Sequence, residues 1–158
     1  MANTQSMTTS FMGELLTATH NFGTAPTRGT SAADTFKAAL YLTSATIDAA
    51  TTAYTVSGEV SGAGYSAGGI VVTNATPPTA TNASATAGVA FFTPSASLVY
   101  TSVTLTTAFD AVLIYNSTQS NKAVSVHTFG SQTITAGTFT LTMPANTTTT
   151  ALLRLATT

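Results

Sequence analysis

The glycine-rich stretch VSGAGYSAGG, at residues 60–69, is the first place in the sequence where a ligand could be held. Three of its glycines give the spacing G-x-G-x-x-x-G, one residue longer than the fingerprint of dinucleotide-binding loops, and no P-loop lysine follows. Phosphate loops also need a helix beginning at the glycines, but here the β-branched run IVVTN follows. The pattern therefore predicts a structural turn into a strand, built from Gly62, Gly64, Tyr65, Gly68 and Gly69. We expect Tyr65 to pack against the domain while the glycines take positive φ around it.

Asp110, Ser125 and His127 are a second set of residues that could do chemistry, on two β-rich runs that read as a hairpin. If Tyr115 pairs with Lys122, Asp110 lies opposite His127, with Ser125 on the same face. A catalytic triad needs more, namely a serine on a sharp turn beside an oxyanion hole. We therefore predict a structural cross-strand pair of Asp110 and His127, no catalytic residues and no enzyme activity.

A metal or cofactor site finds little support in the sequence. There is no cysteine, and the histidines and acidic residues are not at ligand spacing: His20, His127, Glu14, Asp34, Asp48, Glu59 and Asp110. His20 is better explained as a helix C-terminal residue favoured by the helix dipole. We expect no cofactor and no metal. The one form of metal binding left open is an ion on a symmetry axis of an assembly.

Charge is scarce in this chain and narrows its possible partners. Charged residues are 6% of the sequence, the net charge is -1, and 44% of residues are hydrophobic, so the chain should fold. Four scattered basic residues cannot neutralise a run of phosphates, which argues against nucleic acid. The start lacks a signal-peptide pattern and no apolar run is long enough to span a membrane. Neutral, threonine-covered strand edges suggest a component of an assembly.

The hydrophobic periodicity predicts one short helix followed by strands. Helical spacing runs from a cap at Thr9 or Ser10 up to His20, and residues 21–33 read as a Gly/Pro/Thr linker. From residue 35 the period is two, and TFKAALYLT is predicted to be a half-buried strand. We predict a helix and linker arm at 1–33 and an all-β, antiparallel sandwich or jelly-roll-like domain of seven to nine strands at 34–158.

Two further segments carry definite predictions. TPPTATNASATAG, at residues 76–88, has no large apolar residue and is expected to be a long exposed loop with a mobile tip. FDAVLIYNSTQSNKAVSVHTFG, at residues 109–130, is predicted to be a hairpin around a polar loop at 116–121.

Two motifs then point to a family. The segment Y-x-x-x-x-E-V-S-G-x-G-Y-x-A-G-G, at residues 54–69, and A-x-L-I-Y-N, at 111–116, resemble small virion proteins of tailed bacteriophages. The resemblance covers most of the chain from residue 35 onward. The two motifs mark a family and carry no catalytic signature.

The resemblance implies a capsid decoration, or cement, protein. Such a protein binds the outside of the phage head, and its copies, often trimers, tie neighbouring major capsid subunits together. The implied partners are the major capsid protein or other virion proteins, without nucleic acid or membrane. The implied location is the virion, assembled in the host cytoplasm. A tail protein, a head-to-tail adaptor or an adhesin-like host-binding module is the alternative.

Overall fold

Antiparallel strands dominate the computed structural model, which describes residues 3–16, 19–22, 33–74, 78–81 and 88–156. The described elements, in chain order, are β1 (Ser6–Met7), α1 (Thr9–Leu16), β2 (Phe36–Leu42), β3 (Ile70–Val71), β4 (Thr79–Thr81), β5 (Val89–Phe92), β6 (Leu98–Asn116), β7 (Lys122–Leu141) and β8 (Leu153–Ala156). They form a five-stranded sheet, β1-β7-β6-β2-β3, and a three-stranded sheet, β4-β5-β8. The predicted all-β, sandwich-like class with a short N-terminal helix is confirmed.

The hairpin of β6 and β7 is the largest element of the fold, and it bends back on itself. Ala38 of β2 pairs with Ile114, yet its carbonyl also accepts a hydrogen bond from the Tyr100 hydroxyl at 2.8 Å. A straight strand would separate Tyr100 from Ile114 by about 45 Å. Register shifts between Tyr100 and Ala111, and positive φ at Ser102 and Ala136, accompany the bend. The open end of the hairpin, near Tyr100, therefore packs over the half that lies near the turn.

Strand β2 lies between β6 and β3 in the large sheet and is buried on both faces. Phe36, Ala38 and Leu40 belong to the main core, whereas Ala39 and Tyr41 belong to a second cluster on the opposite face. The prediction of a half-buried strand is therefore wrong. Its polar-looking face is filled by alanine and tyrosine, whose hydroxyl finds a partner in the carbonyl of Thr55.

The N-terminal residues are part of the domain over residues 3–16. β1 pairs with β7 at Ser125 and Val126, and Phe11 of α1 is 1% exposed in the main core. This part of the predicted arm is thus packed on the sheet, because the apolar face of the helix covers β7 instead of projecting away. Most of the predicted linker, residues 23–32, lies outside the described residues.

Two smaller differences concern the run before the predicted loop at 76–88 and the loop itself. The run IVVTN supplies only the two-residue strand β3, which pairs with Lys37 and Ala38 of β2. Inside the predicted loop at 76–88 lies β4, whose partner is β5. Threonine and alanine suffice for this edge strand because it contributes backbone pairing and has little side chain to bury. Residues 75–77 and 82–87, including the predicted mobile tip, lie outside the described residues.

Candidate functional site

The glycine stretch lies directly against the backbone of the large sheet. A Cβ added to Gly62 would lie 2.0 Å from the carbonyl oxygen of Thr104, and one on Gly64 would lie 2.1 Å from that of Ser102. At Gly69 the corresponding distance, to the carbonyl oxygen of Ala38, is 1.7 Å. No side chain fits at these approaches. The segment thus covers the outer edge of β6 where β2 no longer pairs with it, and Ala63 bridges to Thr104.

The predicted turn chemistry agrees with the structure. Gly64, Gly68 and Gly69 have φ of 77°, 87° and 68°, and Tyr65 packs against the main core. Gly62 differs because its φ is not positive. Glycine is needed there because a side chain would collide with the carbonyl of Thr104. The segment leads into strand β3 and not into a helix, as expected.

Glu59 lies at the centre of this segment as a buried carboxylate, 7% exposed. Its Oε2 accepts a hydrogen bond from the Tyr54 hydroxyl at 2.7 Å. Its Oε1 accepts one from the Tyr65 hydroxyl at 2.7 Å and one from the Gly68 amide at 2.8 Å. We call these four residues the Glu59 cluster. An amide that could have received a phosphate donates instead to a carboxylate of the same chain.

Further contacts hold the tyrosines of the cluster in place. The Tyr65 hydroxyl also accepts the Leu40 amide at 3.0 Å, and Tyr115 donates to the Gly68 carbonyl at 2.8 Å while stacking on Tyr54. Burial, and then the hydrogen bond to Glu59, raises the pKa of Tyr65 and of Tyr54. Both hydroxyls therefore stay protonated and donate. Since both oxygens of Glu59 already accept hydrogen bonds, the arrangement suits a structural role better than proton transfer.

A second polar cluster joins the N-terminal segment to the turn of the long hairpin. Asn116, 0% exposed, donates to Asp34 at 2.8 Å, and its Nδ2 lies 3.0 Å from His20 Nδ1. His20 Nε2 lies 2.7 Å from Glu14, which also accepts a hydrogen bond from Lys122. We call these five residues the Asn116 cluster.

The prediction that His20 is a helix C-terminal residue is wrong. Helix α1 ends at Leu16, and His20 lies beyond it as a buried link between Glu14 and Asn116, not as a helix C-terminal residue. Burial raises the pKa of the Glu14 carboxyl, but the hydrogen bonds from Lys122 and His20 outweigh it and the pKa is lowered. The hydrogen bonds of the cluster thus join residues 14, 20 and 34 to the turn of the hairpin.

The predicted pair of Asp110 and His127 is not formed. His127 pairs with Val112, because the register shifts between Ile114 and Tyr115 and the pairing begins with Asn116 opposite Lys122. Asp110 instead accepts a hydrogen bond from Asn3 at 2.6 Å.

His127 bonds within its own strand. Its Nε2 lies 2.9 Å from the Ser125 hydroxyl, and burial lowers its pKa to about 4. With Asp110 elsewhere, the serine, histidine and aspartate do not converge, so no triad geometry supports hydrolysis.

No group of three or more potential metal-ligating side chains occurs within the described ranges. A cavity of about 100 Å³ opens between α1 and the small sheet, and its lining is apolar: Met7, Phe11, Leu15, Phe22, Pro78, Ala90, Phe91, Phe92, Leu153 and Leu155. Among the described helices, none has the length and apolar character needed to cross a membrane.

The chain matches no protein-family model, no curated protein and no solved structure. The site must therefore be interpreted from its own residues. The structural role of Glu59 escaped the sequence analysis, which gave it as a scattered potential ligand and as one position of a family motif. One signal was present: Glu59 is the last charged residue before a stretch without charge that extends to Asp110, and three of the five tyrosines surround it in the fold.

Proposed function

We propose that this protein is a structural virion protein of the capsid decoration type, binding the outside of a tailed-phage head and stabilising the lattice of major capsid subunits. The copies are expected to form a homo-oligomer, with a trimer favoured. Its action is passive, through burial of apolar and backbone-pairing surface at many identical sites, each of modest strength.

The observation that carries the proposal is the absence of charge over most of the domain. No Lys, Arg, Asp or Glu occurs in residues 60–109 or 123–153, which include most of the long hairpin and of the small sheet. Burying neutral hydroxyl and backbone groups against another protein costs far less than burying ions. Such a surface therefore suits extensive protein contact better than it suits binding of a charged substrate or of nucleic acid.

The two motifs behind the resemblance have a structural use in this fold. The first motif contains all four residues of the Glu59 cluster, and its glycines at 62, 64 and 69 permit the close approach to the sheet. In the second motif, Tyr115 bonds Gly68, and Asn116 organises the hairpin turn by accepting the amides of residues 118 and 119. The motifs thus hold a rigid scaffold together, as a passive lattice component needs.

A second candidate is a tail protein, head-to-tail adaptor or host-binding virion module. The apolar cavity beside α1 favours it, because one discrete concave site fits a single partner segment better than a repeating lattice contact. Copy number separates the two candidates, since an adaptor is present at one vertex while a decoration protein covers the head.

Quantitative mass spectrometry of purified virions tests both. The proposal predicts recovery in a fixed proportion to the major capsid protein, and restored heat resistance when the isolated chain is added to heads that lack it. Recovery at a few copies per particle would favour the second candidate. Absence from purified particles would overturn both.

A further inference from the structure

Strand β7 has an uncovered outer edge. On one side it pairs with β6 along its length, and on the other side it pairs with β1 only at Ser125 and Val126. Beyond that point, at residues 127–141, no described strand lies along it. Within the described part of the chain, these residues make no backbone hydrogen bond to a segment outside the hairpin.

This edge lacks the charged residues and prolines that often protect an edge strand against further pairing. Natural edge strands carry lysine or proline, are very short, or contain bulges, so that other strands do not add to them. In β7 no charged residue follows Lys122, and there is no proline. Exposed neutral side chains follow one another instead, among them Thr133, Thr135, Thr138 and Thr140. Positive φ at Ala136 and register shifts against β6 between Thr128 and Phe139 make this edge irregular, and regular pairing with β6 resumes from Phe139 to Leu141.

We propose that the outer edge of β7, at residues 127–141, pairs with β7 of a second copy of this chain. A charged partner strand would place ions against an edge that offers no counter-charge, whereas a second copy brings a strand of matching neutral character. Antiparallel pairing about a two-fold axis lets both edges satisfy their free amides and carbonyls at once. Threonines of the two copies then face one another, a favourable cross-strand combination.

This inference deepens the proposed function, because it names a surface through which copies of the protein join. The trimer implied by the resemblance would use another surface, and β7 would then link one trimer to the next. The isolated full-length chain tests the contact without any virion.

The first experiment measures molar mass by light scattering over a range of chain concentrations. We expect the unmodified chain to form dimers or larger species, and the double variant Thr133→Lys/Thr138→Lys to associate at least tenfold more weakly. The matched control, Thr106→Lys/Thr107→Lys, adds the same charge at exposed positions of β6 and should associate like the unmodified chain. A monomeric unmodified chain, or equal association of both double variants, would overturn the proposal.

The lack of native cysteine permits a second, independent measurement. A single cysteine introduced as Thr135→Cys should give covalent dimers with a short thiol cross-linker, and Thr106→Cys should not. When both variants are well folded, equal cross-linking at the two positions contradicts β7 pairing. If the chain is monomeric but is still recovered from virions, the proposed β7 contact is wrong and the proposed function stands. If the chain self-associates through β7 but is absent from virions, the β7 contact stands and the proposed function is wrong.

Discussion

The two strands of the long hairpin have outer edges of very different kinds. The edge of β6 is covered by the segment from Gly62 to Gly64, which approaches so closely that a methyl group would overlap the carbonyls of Ser102 and Thr104. The edge of β7 beyond Val126 has no such cover among the described residues. The longer segment at residues 59–69 holds this cover in place, with positive φ at Gly64, Gly68 and Gly69 and a buried carboxylate at Glu59. Where the described residues supply no cover, our proposal places a second copy of the chain on the edge.

The largest expected effect comes from adding the same methyl group to each edge. Gly64→Ala places a side chain at φ 77° and 2.1 Å from a carbonyl oxygen, so it should cost about 4 kcal/mol or more, or prevent soluble expression. Gly130→Ala, on β7, meets nothing within 4 Å and should change stability by less than about 0.5 kcal/mol. Chemical denaturation of both variants checks this, and equal losses would mean that the glycine segment is not held against β6.

The next effect concerns the carboxylate that holds the covering segment. Glu59→Gln keeps the shape of the side chain but turns one acceptor oxygen into a donor that faces a hydroxyl donor. We expect a loss of about 2–3 kcal/mol, because a buried polar group is left without a partner. Asp48→Asn, which alters a carboxylate bonded within an exposed turn, is the control and should cost less than about 1 kcal/mol. A Glu59→Gln variant as stable as the unmodified chain would show that the cluster does not anchor the segment.

A smaller effect should depend on pH, at the point where β7 leaves the cover of β1. The pKa of His127 is lowered from 6.5 to about 4 by burial, so the unfolded chain binds a proton more readily than the folded chain. Stability is therefore complete above about pH 6.5 and falls as the pH drops toward 4, by on the order of 2 kcal/mol.

Denaturation at pH 7, 5 and 4 checks the pH dependence, with His127→Gln as the comparison. The glutamine variant should lose less stability across this window. The lowered pKa of Glu14 also destabilises the fold in acid, but it acts in both proteins and cancels in the difference. Identical pH profiles would show that His127 is not held neutral in the fold.

The smallest effect on folding is expected at the open edge itself. Thr133→Lys alters an exposed side chain of β7, so the free energy of unfolding per chain should change by less than about 0.5 kcal/mol. Denaturation at low chain concentration, where copies are dissociated, measures this. A large loss would mean that the edge is covered within a single chain, and the contrast between the two edges would then disappear.

The local features of this protein could be predicted from sequence because they depend on neighbouring residues. The turn at Gly64 to Gly69 was predicted from glycine spacing and the β-branched run that follows, and the polar loop of the hairpin from its composition. The register of the same hairpin was not, since pairing begins with Asn116 opposite Lys122 and shifts again after Tyr115. Together these two differences place His127 opposite Val112 and not opposite Asp110. Alternation of side chains describes which face a residue takes, but it contains no information about where a bulge lies.

By itself, the sequence determined the all-β class, the single short helix, the neutral surface and the structural character of the glycine turn. Each of these follows from composition or from spacing over a few residues. The tertiary structure decided that β6 bends until Tyr100 reaches Ala38, that β2 is buried on both faces, and that Glu59 accepts three hydrogen bonds. It also decided which hairpin edge is covered. These features depend on contacts between residues far apart in the chain, whose free energy no local pattern records.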